Sequence, residues 1–156
     1  MIPYMKRSLT PAGIRPPFGA YSHGILVPAG HRLVVTSGQL GIGPDDAVPE
    51  GIAAQAALCF ANCGAILAEA GMTPADVIRI NAFVTTRDHF AAYMQARDVW
   101  LGVEAVRPAS TLVIVSGFTR AEFLVEVEVT AAAECASRRA NGRRQDAPSE
   151  VLRPAG

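Results

Sequence analysis

The chain has 156 residues, 50% of them hydrophobic and 18% charged, enough apolar material for one compact domain and too much for a disordered polymer. Its apolar runs read as shorter than the roughly 20 residues a membrane span needs. The opening MIPYMKRSLTPAG has no apolar core of the signal-peptide kind, so the expected location is the cytoplasm. Fourteen basic residues balance fourteen acidic ones, but five arginines and two acids lie beyond residue 137, leaving nine basic against twelve acidic before it. A body of that charge argues against nucleic acid as a partner.

Three cysteines are too few and odd in number for a disulfide framework, and Cys59 and Cys63 sit one helical turn apart with no histidine at metal-ligand spacing. They read as reduced core residues. Lys6 is the single lysine and lies in the N-terminal segment, which disfavours covalent imine chemistry on a desolvated lysine.

In chain order, SHGILV (22–27) and RLVVTS (32–37) are short β-branched and aliphatic runs around Pro28-Ala29-Gly30, and they predict a β-hairpin. After the loop GIGPDDAVPEG, residues Ile52, Ala56, Cys59, Cys63, Ile66 and Leu67 recur at helical spacing, with Gly71 as the left-handed stop. Thr73-Pro74-Ala75-Asp76 predicts a capped short turn, and VIRINAFV (77–84) a strand. Asp88 is the expected cap of a second helix, whose Phe90, Tyr93, Arg97 and Trp100 or Leu101 follow a 3–4 spacing. STLVIV (110–115) and FLVEVEVTA (123–131) complete the order β-β-α-β-α-β-β, an α+β layer with two helices on one sheet face. The other face of such a sheet needs a cover, which a homo-oligomer supplies. Residues 1–136 read as that domain and 137–156, rich in Arg and Pro, as a tail without a core.

The stretches YSHG (21–24), TSGQL (36–40), Gln55 to Asn62, AGMTPADVIRINAFV (70–84), RPAST (107–111) and LVEVEV (124–129), in this order, resemble the RidA/YjgF family over residues 17 to 133. The resemblance implies a chorismate-mutase-like α+β fold and a homotrimer whose sheets form an inner barrel, with a small-molecule site in each intersubunit cleft. It implies hydrolysis of reactive enamines and imines to a carbonyl compound and ammonia, without metal or organic cofactor. Imine hydrolysis needs a carboxylate to position or deprotonate water, and the family motif makes Glu126 that candidate. Alternation alone puts Glu126 and Glu128 on one face of a strand, about 7 Å apart, and by itself reads as the wet face of an amphipathic edge strand. Tyr21, Ser37 and Gly38 correspond to residues lining the family's cleft.

Departures from the family pattern reshape that cleft. Deaminating members carry Pro-Ala-Arg, the arginine forking onto the substrate carboxylate; here Pro108-Ala109 is followed by Ser110, a neutral donor in place of a permanent charge. Arg107 is the neighbouring basic candidate, on the opposite face if the strand already runs there. Met94 stands where the family often has asparagine, and His23 where it often has glutamine. The expected function is therefore hydrolytic deamination of an enamine or imine that is not a simple 2-imino acid, with a non-catalytic small-ligand-binding trimer as the alternative. Nucleic acid and membrane are not expected partners.

Overall fold

The structure is a computed structural model that describes residues 5–103 and 106–135; the Arg/Pro-rich segment 137–156 lies outside them. Strands β1 (Arg7–Leu9), β2 (Gly24–Leu26), β3 (His31–Val35) and β4 (Gln39–Leu40) precede helix α1 (Ile52–Glu69). Strand β5 (Val77–Val84), helix α2 (Phe90–Leu101), strand β6 (Ala109–Ile114) and strand β7 (Val125–Glu134) follow. The main sheet runs β3-β7-β5-β6, with β4 also on β7. Only β5 and β6 are parallel, joined through α2 in a βαβ unit. Two helices packed on a mixed sheet make the α+β layer expected from the sequence.

The hairpin expected at 22–37 does not form. β2 pairs with β1 in a separate two-stranded ribbon, whereas β3 pairs with the C-terminal half of β7. Pro28 and Gly30, the latter at φ +84°, turn the chain away before the two runs can zip together. Cap assignment differs as well. Thr86, not Asp88, takes the N-terminal role, its Oγ1 accepting from the Asp88 amide at 2.9 Å in a 3-10 turn that leads into α2. The Thr73–Asp76 turn forms as expected, the Asp76 carboxylate accepting from the Thr73 amide at 2.9 Å.

Strand alternation decides where the core sits. Val125, Val127 and Val129 of β7 and Ile80, Ala82 and Val84 of β5 turn inward and are fully buried beneath α1 and α2. Cys59 and Cys63 pack there, their thiols reaching the Val125 and Val127 carbonyls at 3.6 and 3.7 Å. Burial raises these thiols to about 12 and about 11 respectively. By length and mean hydropathy α1 is apolar enough to cross a membrane, contrary to the expectation from apolar runs; its Ala56, Cys59, Cys63 and Leu67 instead belong to the core.

Candidate functional site

The second face of the sheet carries the carboxylates. Register pairs Glu126 with Phe83 and Glu128 with Asn81, so both acids point away from the helices, about 7 Å apart along the strand. They are not equivalent. Asn81 Nδ2 donates to Glu128 Oε1 at 2.8 Å, while Glu126, half-buried, lies against Gly38. A Cβ built on Gly38 would sit 2.6 Å from Glu126 Cδ and 2.9 Å from its Cγ, so only glycine lets the chain pass over this side chain in its present position.

Two side-chain amides of α1 lie on the other side of the sheet. Asn62 of α1 donates to the Leu40 and Ile42 carbonyls, both at 3.2 Å. Gln55, fully buried, donates to Pro49 and Glu122 carbonyls and accepts from the Leu124 amide. Asn62 thus satisfies carbonyls at the end of the short strand β4, while Gln55 ties the loop before α1 to the segment entering β7. Ser37, beside it, is exposed.

A different set of residues lies on the helix-facing side, at the β6 edge. Ser110 pairs in register with the buried Ile80, which turns its hydroxyl toward α2. There a cavity of about 580 Å³ opens, with an apolar wall of Phe18, Phe90, Met94 and Leu112. Its polar groups are Tyr21, Tyr93, Arg97 and Ser110. The N-terminal segment roofs it: Ser22 bridges to Ala109, its amide donating to the Pro108 carbonyl at 3.0 Å and its hydroxyl to the Arg107 carbonyl at 2.6 Å. Tyr21 is locked by accepting from the Phe18 amide at 3.2 Å, and its ring meets His23 edge-on, with centroids 6.2 Å apart.

Arg97 is the residue that the sequence placed on the apolar stripe of α2 without assigning it a role. Its side chain is 2% exposed. Nε and Nη2 donate to Asp98 Oδ1 at 3.0 and 2.8 Å, Nη2 also to the Ala20 carbonyl at 3.2 Å, and Nη1 to Ser110 Oγ at 3.3 Å. A guanidinium thus stands at Ser110 after all, delivered from the helix instead of the strand. The signal was present in the spacing: an arginine in line with Tyr93 and Leu101 must be buried, and a buried arginine needs partners.

One turn earlier, Tyr93 is wholly buried and its hydroxyl has no hydrogen-bond partner among the described residues. Phe60 of α1 fixes the ring, at 5.9 Å between centroids, and itself stacks on Trp100 at 5.1 Å. Burial raises the phenol to about 12, against the opposing pull of Arg97 and the Ser110 hydroxyl. An unpaired buried hydroxyl costs on the order of 1–3 kcal/mol.

Arg107 belongs to neither set. It lies before β6 begins at Ala109, so strand alternation does not govern it, and its Nη1 is buried without a partner among the described residues. Among the described residues no three His, Cys, Asp or Glu side chains gather as a metal site would require. Lys6 donates to the carbonyls of Val77, at 3.0 Å, and Ala75.

The candidate residues therefore fall on opposite faces of one sheet: Tyr21, Met94 and Ser110 with the cavity, Ser37, Gly38 and Glu126 on the far side. Comparison with known proteins places the chain. The family model described as Endoribonuclease L-PSP matches residues 13–133. The chain belongs to this family. A RutC family protein of Aquifex aeolicus is 30% identical over 117 residues, covering 74% of this chain and 90% of that protein. A RutC family protein of Haemophilus influenzae is 42% identical over 62 residues, 39% of this chain and only 48% of the relative's length. The rat 2-iminobutanoate/2-iminopropanoate deaminase is 35% identical over 97 residues, covering 56% of this chain and 66% of that enzyme. Among solved structures, YyfB of the Rid family from Yersinia pestis superposes with a TM-score of 0.71 at 29% identity, covering 82% of this chain and 98% of that one.

Proposed function

We propose that this protein hydrolyses a reactive enamine or imine to a carbonyl compound and ammonia. The observation that carries the reading is the contrast on β7: Glu128 is engaged by Asn81, whereas no hydrogen bond among the described residues occupies Glu126, and the absence of a side chain at Gly38 leaves the space its carboxylate fills. A carboxylate so placed orients a water molecule and takes its proton as the water oxygen bonds to the C=N carbon. The imine nitrogen gains a proton, the carbinolamine then collapses, the C–N bond breaks and ammonia leaves. An enamine enters the same path once its β-carbon is protonated. Family membership and likeness to a rat protein named as an imino acid deaminase support the reaction class.

The two half-sites face opposite ways within one chain, so the reading requires a second copy to bring a neighbour's Glu126 face to the cavity. A homotrimer that sets the β6 edge of one sheet against the second face of the next would do this, and that face suits it: Leu33 and Val35 are 60% and 72% exposed there, beside Val113 at 44%. The substrate in this reading is not a simple 2-imino acid. An apolar cavity of about 580 Å³ leaves an imine of three or four carbons poorly packed. Ammonia release from a panel of enamines and imines tests the reaction, with Glu126→Gln expected to lower it about 100-fold or more at unchanged melting temperature. A catalytically silent wild type that still binds small ligands would favour the non-catalytic reading.

A further inference from the structure

Counting donors around Ser110 leaves an unfilled place. Arg97 has five N–H groups; Asp98 takes two, the Ala20 carbonyl one and Ser110 Oγ one, so one Nη1 hydrogen remains. Ser110, an acceptor from Arg97, keeps its own hydroxyl hydrogen to give. Tyr93 adds a wholly buried hydroxyl with no partner among the described residues. Three donors line one cavity; Ser110 lies close enough to Tyr93 to act on its phenol, but that pair can use only one of its two hydroxyl hydrogens, so at least two of the three hydrogens are left for a ligand.

Charge follows the same direction. Asp98 neutralises Arg97 formally, but its side chain is 43% exposed against 2% for Arg97, so water screens the anion more than the cation and the cavity sees residual positive potential. Phe90, Met94 and Leu112 surround this polar spot with apolar surface. We propose that Arg97, Tyr93 and Ser110 form a carboxylate-binding cluster, and that the preferred ligand joins a carboxylate to a bulky apolar body, aromatic or branched. Resting on the proposed hydrolysis, this makes the substrate a large apolar 2-imino acid whose specificity-determining guanidinium comes from α2.

Tyr93 distinguishes a binding role from a structural one. Its hydroxyl has no hydrogen-bond partner of ordinary geometry among the described residues, so Tyr93→Phe should change the melting temperature little; loss of ligand affinity in the same variant has no structural explanation. Calorimetric titration with 3-phenylpropanoate and its uncharged counterpart 3-phenylpropanamide reads the cluster directly. Wild type is expected to bind the acid at least tenfold more tightly than the amide. Tyr93→Phe should weaken acid binding about tenfold, and Arg97→Gln, if folded, should abolish the preference for acid over amide. Equal binding of acid and amide, no binding of either, or full acid affinity in Tyr93→Phe would overturn the proposal. Acid-selective binding without turnover of any imine would leave the cluster standing and remove the hydrolytic reading; turnover with equal binding of acid and amide would do the reverse.

Discussion

Asn81 and Glu128 are bonded across the β5–β7 pair at 2.8 Å, two residue pairs along the ladder from Glu126, which has no such cross-strand bond among the described residues. Two acids on the same face of the same strand thereby sit in different surroundings. Glu128→Gln exchanges an acceptor of the Asn81 amide for a neutral one, a loss of about 1 kcal/mol at most in a partly exposed pair. We expect it to shift the melting temperature by a few degrees and to leave turnover within about threefold of wild type, in contrast to Glu126→Gln. Parallel steady-state assays of the two variants check this; equal losses would mean that the face acts only as a polar surface.

Gly38→Ala tests positioning without touching the carboxylate. The new Cβ overlaps Glu126 Cγ and Cδ, so the acid must rotate away while its chemistry is intact. A tenfold or greater fall in kcat is expected, with the melting temperature lowered by a few degrees. Activity equal to wild type would show that the present rotamer of Glu126 is not the reactive one.

The exposed apolar residues of the second face predict a trimer in solution. Light scattering at micromolar protein should return three times the chain mass, and Val35→Asp should shift it toward monomer by placing a charge in a dry contact. A wild-type monomer would deprive the half-sites of their only means of meeting.

Alkaline pH should loosen the fold before it alters the site. Cys59, Cys63 and Tyr93 are raised from 9.0 to about 12, from 9.0 to about 11 and from 10.0 to about 12 respectively. The unfolded chain thus releases these protons first, and stability falls as pH rises above about 9, by up to roughly 1.4 kcal/mol per pH unit for each group. Denaturant titrations between pH 8 and 11 should show this slope, reduced in Cys63→Ala; the same substitution leaving the slope untouched would contradict the assignment.

The elements that carry their own periodicity were legible in the sequence. VIRINAFV is strand β5 residue for residue, and Gly71 is the left-handed stop of α1, at φ +64° just past the cap Ala70. The hairpin was not legible, since a three-residue strand satisfies as few hydrogen bonds with β3 as with a remote partner, and only tertiary packing chooses β1. Arg97 was visible as a member of the α2 stripe, but pairwise chemistry with Ser110, thirteen positions on, depends on the crossover that sets α2 over β6. Ser110 as a departure from the family pattern suggested a lost charge; the fold shows the charge arriving by another route.

Placing the two halves of the site on opposite faces of one sheet has a genetic corollary. In the proposed cyclic trimer each site would draw its cavity from one chain and its Glu126 from the next, so an Arg97 allele and a Glu126 allele would damage different partners of the same junction. Co-expressed, the two chains assemble in mixed rings, and any such ring holds one junction where an intact cavity meets an intact carboxylate. Two alleles that are silent alone would together restore up to a third of the sites, whereas two alleles from the same face would restore none.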